Sequence, residues 1–105
     1  MNTFDIFIAY VSWGEGGKLR PVLIVGQQDE ILSVFNITTH YESKSEVVRS
    51  KYFKITDWHQ AGLDKPSYVD TGIMREIPKV AWVGKTSIGR LTDADKLRLL
   101  EFLSS

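Results

Sequence analysis

The residues best suited to chemistry stand in one short run near the N-terminus. Glu15, Lys18 and Arg20 lie in the glycine-rich segment 14–21, whose sequence is GEGGKLRP, and the apolar segment 22–25 follows directly. The glycines let the backbone approach a ligand closely, and a following strand holds the arginine rigidly. An arginine guanidinium binds phosphate oxygens in a bidentate way. The run is therefore suited to holding a phosphate.

A second polar group, Thr38, Thr39 and His40, ends the next apolar segment. If that segment pairs with the first as a hairpin, Thr38 lies near Arg20, and Thr38 and His40 share a face while Thr39 points the other way. An arginine and a hydroxyl together stabilise the extra charge of a pentacovalent phosphorane. RNA carries its own nucleophile, the 2′-OH. The pattern suits RNA cleavage without a metal or an enzymic nucleophile.

Each of these residues also has a plainer interpretation. An arginine before proline commonly ends a strand or pairs with an acid such as Glu15, and threonines favour strands because they are β-branched. His40 fits a solvated, hydrogen-bonding histidine, and Lys44 stands where basic and acidic residues alternate. From the residues alone, a non-catalytic module that binds a peptide or RNA therefore stays open as the alternative function.

Composition removes several other classes of function. The chain has 105 residues, no cysteine, and 13 basic and 13 acidic residues, so its formal net charge is zero. Disulfides, thiolate metal sites and cysteine nucleophiles are excluded, and no overall field attracts nucleic acid. His40 and His59 lack the spacing of a zinc site, and the common phosphate-loop, dinucleotide and hydrolase motifs are absent. We expect neither metal nor cofactor.

The chain shows no sign of a membrane or secretory segment. Its N-terminus lacks the basic and apolar regions of a signal peptide, and no apolar run approaches the roughly 18 residues of a membrane span. We expect a cytoplasmic protein with no membrane partner.

The remaining pattern predicts a mainly β fold with α additions. The C-terminal helix begins with the capping box Thr92 to Asp95, and a turn at 27–30 joins two strands as a hairpin. Gly72 and Pro78 mark a bulge or break. The chain is predicted as a single domain, 1–105, built as a small, strongly curved antiparallel sheet or barrel.

The predicted strands lie at 4–11, 20–25, 31–39, 47–49 with 52–55, 67–77 and 80–83. A helical turn is predicted over 56–61 and is ended by Gly62. The C-terminal helix is predicted to pack through Ala94, Leu97, Leu100 and Leu103.

The order of motifs resembles the MazF/PemK family, toxins of toxin–antitoxin pairs. The motifs are Asp5-Ile6 in the first strand, KLRPVLIV at 18–25, ITT at 37–39 and IGRLT at 88–92 before the last helix. The resemblance implies an SH3-like barrel that forms a homodimer in a prokaryotic cytoplasm. It also implies a metal-independent endoribonuclease, or mRNA interferase, that cleaves single-stranded RNA and is neutralised by a cognate antitoxin protein. The implied products carry a 2′,3′-cyclic phosphate and a 5′-hydroxyl.

The resemblance also assigns roles to individual residues. Arg20 and Thr38 match the family's catalytic arginine and threonine, and Glu15 stands where some members carry an acid that contributes to activity. We expect Arg20 to bind the scissile phosphate and to assist proton transfer, although an arginine is a poor base; Glu15 and His40 are the alternative proton acceptors. A member that regulates its own operon is a further possibility. The residues assigned to RNA binding are Lys18, Thr39, His40, Lys44 and Arg75, with Trp13 as the best candidate for base stacking.

Two departures from the family pattern bear on RNA specificity. Phe4 stands where many members have a glycine, and His40 stands where a glutamine is common. The segment between the first two strands is also short. We therefore expect the RNA path of this protein to differ from that of other members.

Overall fold

The sheet begins with two consecutive hairpins. The computed structural model describes residues 2–82, 85 and 87–105, and at 11–13 and 82 it describes the backbone alone. The strands β1 (Asp5–Trp13), β2 (Gly16–Gln28) and β3 (Ile31–Thr38) are joined by turns of two residues each. Asp29, in the second turn, takes the left-handed conformation, with φ 54°, which aspartate tolerates better than most residues. The predicted hairpin of β2 and β3 is confirmed.

The rest of the chain adds shorter elements around this meander. All paired strands run antiparallel, and the sheet order is β4-β5-β3-β2-β1-β6. The further described elements are α1 (Glu46–Arg49), β4 (Tyr52–Lys54), β5 (Tyr68–Pro78), a 3₁₀ helix (Lys79–Trp82), β6 (Gly89–Arg90) and α2 (Asp93–Ser104).

The curved sheet buries apolar side chains on both of its sides, because residues alternate between the two sides along each strand. The side that carries Leu23, Phe35 and Ile37 packs against Leu99 of α2, and we call it the helix side. The opposite side carries Val22 and Val34, and we call it the cleft side. Its buried residues are Phe7, Ala9, Val22, Ile24, Leu32 and Val34, with Ile77 packed against them.

The C-terminal helix forms where the sequence predicts it but packs through a different face. Thr92 is its N-cap, and the Thr92 side chain accepts a hydrogen bond from the Asp95 N–H. The predicted apolar face is wrong: Leu97, Leu100 and Leu103 are all exposed, and Leu97 is 62% exposed. Ala94 is exposed as well. The helix instead buries the stripe of Asp95, Leu99 and, in part, Phe102, whose ring meets the edge of Phe53 at 5.6 Å.

A buried carboxylate sets this rotation of α2. Asp95 is fully buried, and its two oxygens accept the N–H groups of Thr56 and Asp57 at 3.1 and 2.7 Å. Arg98 donates to the same carboxylate at 3.1 and 2.9 Å. A buried charge must be fully hydrogen-bonded, so the helix turns Asp95 inward even though the leucines then face solvent.

Two further predictions about secondary structure are wrong, and a third differs in extent. Residues 47–49 form the short helix α1 rather than a strand, because the Ser45 hydroxyl caps it by accepting the Val48 N–H at 3.3 Å. Residues 80–82 belong to a 3₁₀ helix rather than a strand, and Val83 lies outside the described residues. The second strand, predicted over 20–25, is longer at both ends, since β2 spans Gly16–Gln28 and includes most of the glycine-rich segment.

Other local predictions are confirmed. The pairing of β3 with β5 shifts register between Phe35 and Asn36, which places the bulge at Gly72. Segment 57–63 makes hydrogen-bonded turns rather than a regular helix, and Gly62 there has φ 94°. A Cβ on Gly62 would collide with the Ile88 carbonyl, so this crossing requires glycine. The predicted fold class, a mainly β, SH3-like curled antiparallel sheet with a C-terminal helix, is confirmed.

Phe4, the departure noted in the sequence, has an unusual backbone. Its φ is 74°, a left-handed value that glycine adopts readily and that costs other residues roughly 1–2 kcal/mol. The Phe4 N–H donates to the Ile24 carbonyl at 2.6 Å, and the Lys96 ammonium lies 5.5 Å from the centre of its ring. These contacts offset the backbone strain.

In the part of the chain that the structure describes, no helix is long and apolar enough to cross a membrane.

Candidate functional site

Arg20 and Thr38 lie beside each other on the cleft side of the sheet. Arg20 pairs with Ala9 of β1, and the β2–β3 register pairs Val22 with Asn36. That is the last pair of the β2–β3 register, and Arg20 and Thr38 each stand two residues beyond it on the same side of the sheet. A depression of about 150 Å³ is lined by both residues. Among the described residues, its lining is Lys18, Leu19, Arg20, Pro21, Ile37, Thr38, Thr39 and His40.

The Thr38 hydroxyl is oriented by a local hydrogen bond. The side chain is only 8% exposed, and its oxygen accepts the backbone N–H of His40 at 3.0 Å. A hydroxyl has one donor hydrogen and two acceptor lone pairs. The bond from His40 uses an acceptor lone pair and not the hydroxyl hydrogen. Thr38 can therefore still donate that hydrogen to an oxygen in the depression.

A tyrosine and an aspartate extend the polar area of the cleft side. Tyr52 pairs with Asp70, and Asp70 pairs with Asn36, so all three residues face the cleft side. Burial raises the pKa of the Tyr52 phenol, the Asp70 carboxylate raises it further, and the Arg20 guanidinium acts in the opposite direction. Arg20 is therefore close enough to act electrostatically on Tyr52, and Tyr52 is held as a neutral phenol.

Aromatic rings form a wall next to Thr38. Tyr68 pairs directly with Thr38, and the ring of Tyr41 stacks on Tyr68 with centroids 4.4 Å apart. The guanidinium of Arg49 lies 5.4 Å from the centre of the Tyr41 ring. Stacked rings and a cation–π contact hold side chains in place, so these rings are fixed beside Thr38.

The structure brings together only part of the predicted RNA-binding set. Lys18, Thr39 and His40 line the depression with Arg20 and Thr38. Lys44 lies in the exposed turn after Tyr41, to whose carbonyl its N–H donates at 3.1 Å. Arg75 pairs with Val34 and lines a neighbouring cavity on the same side, and the side chain of Trp13 lies outside the described residues.

Glu15 stands apart from the depression. It lies in the turn that joins β1 to β2, at the tip of the hairpin, and it is absent from the lining of the depression. The five residue steps from Glu15 to Arg20 cover about 16 Å when extended. Within this chain, Glu15 is not positioned to touch a phosphate held by Arg20.

The sequence reasoning missed Asn36, Asp70 and Tyr52. Asn36 could have been predicted from the sequence, because it stands two residues before Thr38 on the same strand and must therefore share its face. Asp70 and Tyr52 belong to strands distant in sequence, and only the β3–β5 and β4–β5 registers bring them to the cleft. No spacing in the sequence indicates those registers.

In the described ranges 2–82, 85 and 87–105, no three or more histidines, cysteines, aspartates or glutamates are grouped so that they could hold a metal ion.

Comparison with known proteins supplies the family context. No protein-family model matches the sequence, and no curated protein sequence matches it. Among solved structures, the Mycobacterium tuberculosis toxin MazF-mt6 is similar over 95% of this chain and 92% of that chain, with a TM-score of 0.69 and 24% sequence identity. The TM-score shows a shared fold, and at this identity the likeness shows the fold alone. The chain therefore has the fold of that toxin, in agreement with the fold predicted from its motifs.

Proposed function

We propose that this protein is the toxin of a toxin–antitoxin pair, a MazF/PemK family member acting as a single domain over 1–105. Its proposed activity is that of a metal-independent endoribonuclease, an mRNA interferase that cleaves single-stranded RNA. The observation that carries the proposal is that Arg20 and Thr38 line the same depression. The similarity to the toxin MazF-mt6 supports the same assignment.

The proposed reaction uses the RNA's own nucleophile. The 2′-oxygen attacks the adjacent phosphorus, its proton passes to a base, the bond from phosphorus to the 5′-oxygen breaks, and that oxygen takes up a proton. The products carry a 2′,3′-cyclic phosphate and a 5′-hydroxyl. Arg20 binds the phosphate, and Thr38 donates its hydroxyl hydrogen to a nonbridging oxygen, so both stabilise the charge that develops on the phosphorane.

His40 is our candidate for proton transfer. It lines the depression together with Thr38, and an imidazole both accepts and donates protons near neutral pH. Glu15, the other candidate from the sequence, lies at the hairpin tip. We therefore favour His40 over Glu15 as the group that takes the 2′-OH proton.

The proposed macromolecular partners are a cognate antitoxin and a second copy of the chain. The exposed Leu97, Leu100 and Leu103 of α2 form an apolar stripe, and contiguous exposed apolar surface commonly marks protein–protein contact. A homodimer would have twice the chain mass of 12.0 kDa. Light scattering coupled to gel filtration measures this directly, and a mass equal to one chain at micromolar concentration would contradict the dimer.

Cleavage of RNA in EDTA tests the proposed activity. We expect the wild type to cut single-stranded RNA and to leave the two end groups named above. Arg20→Ala and Thr38→Ala should each lower the rate by about 10²- to 10³-fold, by analogy with the loss of one oxyanion-hole donor. The measurement is the initial rate with 5′-labelled RNA, with the ends identified by mass spectrometry.

Arg90→Ala is the matched control, because Arg90 lies on β6, outside the depression. It should cut RNA at the wild-type rate. Equal rates for all variants would contradict the assignment of the site. Salt-sensitive RNA binding without any cleavage would instead support the non-catalytic binding module.

A further inference from the structure

A second cavity lies on the cleft side, next to the depression that holds Arg20 and Thr38. Its volume is about 180 Å³, and Tyr10, Asn36 and Arg75 line it. Its floor is apolar, since Val22 and Val34 also line it and are fully buried. A pocket with apolar walls and a few convergent polar groups is the usual form of a small-ligand site.

Two polar atoms in this cavity lack partners. Within the described part of the chain, neither Oδ1 of Asn36 nor Nε of Arg75 has a hydrogen-bond partner, and both atoms are buried. Buried polar groups in folded proteins are nearly always paired, and an unpaired one costs folding free energy. One atom is an acceptor and the other a donor. Because both residues line the cavity, a ligand that reached these atoms would need one donor for Asn36 and one acceptor for Arg75.

The position of Asn36 connects this cavity to the proposed reaction site. Asn36 stands two residues before Thr38 on β3, on the same side of the sheet, so the two Cα atoms are about 6.6 Å apart. That separation is about the span of one ribose between a phosphate and its base. A phosphate bound by Arg20 and Thr38 would therefore place the base of a flanking nucleotide at the cavity.

We propose that the cavity of Asn36, Arg75 and Tyr10 is a nucleobase pocket that selects the base flanking the cleaved phosphate. Asn36 and Arg75 hydrogen-bond the edge of the base. Tyr10, whose side chain is 64% exposed, offers a ring on which the base stacks. This inference rests on the proposed ribonuclease function and deepens it, because it assigns sequence preference to residues that do not touch the scissile phosphate.

Two variants remove the hydrogen-bonding atoms with little change in size or charge. Asn36→Leu keeps the approximate volume without polar atoms, and Arg75→Lys keeps the positive charge without the Nε–H group. Ser33→Ala, on β3 but outside the cavity, is the matched control for the first. Arg90→Lys is the matched control for the second.

The first measurement is cleavage of an RNA pool with randomised positions, followed by sequencing of the new ends. We expect the wild type to prefer one base next to the cut. Asn36→Leu and Arg75→Lys should reduce that preference by about 10- to 100-fold, the usual discrimination of a good two-point contact to a base edge. The controls should retain it.

The second measurement does not depend on RNA cleavage. Affinities are measured for short 2′-O-methyl oligonucleotides that differ at that one base, since the methyl group blocks attack by the 2′-oxygen. The same loss of preference is expected in both variants, and Tyr10→Leu should weaken binding of every oligonucleotide.

The outcomes separate this inference from the proposed function. Cleavage by the wild type with unchanged base preference in both variants would overturn the base pocket and leave the ribonuclease intact. Base-selective binding that the variants lose, without cleavage by the wild type, would support the pocket and overturn the ribonuclease. A wild type with no base preference in either measurement would overturn the pocket.

Discussion

Two buried polar groups of this protein are built in opposite ways. On the helix side, the Asp95 carboxylate accepts hydrogen bonds from two backbone N–H groups and from Arg98. On the cleft side, Asn36 and Arg75 each bury an atom with no partner in the described part of the chain. The hydrogen-bonding groups of the first are satisfied within the protein, whereas the second leaves one acceptor and one donor without a protein partner among the described residues.

This contrast shows how one small sheet supports both stability and recognition. The Asp95 network joins the first turn of α2 to segment 56–57 and so holds the helix on the sheet. The cleft side gathers Arg20, Thr38 and Asn36 on two adjacent strands, where the sheet itself keeps them in register. Polar groups that secure the fold and polar groups available to a ligand are therefore on opposite sides of the same strands.

The largest expected effect on stability is that of Asp95→Ala. The change removes the carboxylate that accepts the Thr56 and Asp57 N–H groups, and with it the closer of the two carboxylates that Arg98 contacts. The free energy of unfolding should therefore fall by about 3 kcal/mol. Urea denaturation followed by tryptophan fluorescence measures the loss. The RNA cleavage rate per folded molecule should stay at the wild-type value, and a loss of less than about 1 kcal/mol would contradict the structural role of this network.

A smaller effect of opposite sign is expected for Asn36→Leu. Replacing a buried, unpaired polar atom with an apolar group of similar size removes a desolvation cost, so the free energy of unfolding should be unchanged or rise by about 1 kcal/mol. The same urea titration checks this value. Destabilisation by more than about 1 kcal/mol would show that Asn36 is hydrogen-bonded in the folded protein, and the contrast with Asp95 would then disappear.

The smallest effect appears only in alkaline solution. The pKa of Tyr52 is raised in the folded protein above its ordinary value of 10.0, so the unfolded chain loses this proton first. Below pH 10 the phenol is protonated in both states and contributes no pH dependence; above about pH 10 the unfolded state is favoured, and stability falls as pH rises through the folded pKa. Tyr52→Phe should therefore show a shallower decline of unfolding free energy above pH 10.

Spectrophotometric titration of the tyrosinate band gives an independent check on Tyr52. Arg20 opposes the rise in the pKa of Tyr52, so Arg20→Gln should raise that pKa still further. An unchanged titration curve in Arg20→Gln would show that the two side chains do not interact. The proximity inferred for Arg20 and Tyr52 would then be wrong.

The success of the sequence predictions follows the range of the interactions involved. Arg20 and Thr38 were predicted together because the short turn at 29–30 joins their strands, so a local hairpin decides their proximity. The prediction of a strand at 47–49 was wrong because local interactions there favour a helix. Val47 and Val48 are exposed, so no packing rewards their β-branched side chains, and the local cap at Ser45 makes a helix instead.

The face of α2 shows where local patterns lose to tertiary structure. The leucines at 97, 100 and 103 have helical spacing, yet the helix buries the stripe through Asp95. The N–H groups of Thr56 and Asp57, 39 and 38 residues earlier, decide this rotation because both donate to the carboxylate of the fully buried Asp95, and a buried charge needs such partners. The periodicity of the sequence predicted the helix, but hydrogen bonds from residues far along the chain determine which side of it is buried.

The sequence by itself determined the hairpin, the C-terminal helix with its Thr92 cap, and the pair of Arg20 and Thr38, because each depends on neighbours along the chain. Only the tertiary structure decided that Asn36, Asp70 and Tyr52 share the cleft side and that Glu15 stands at a distance. Those positions depend on the register between strands far apart in sequence, and register is set by the packing of the whole sheet.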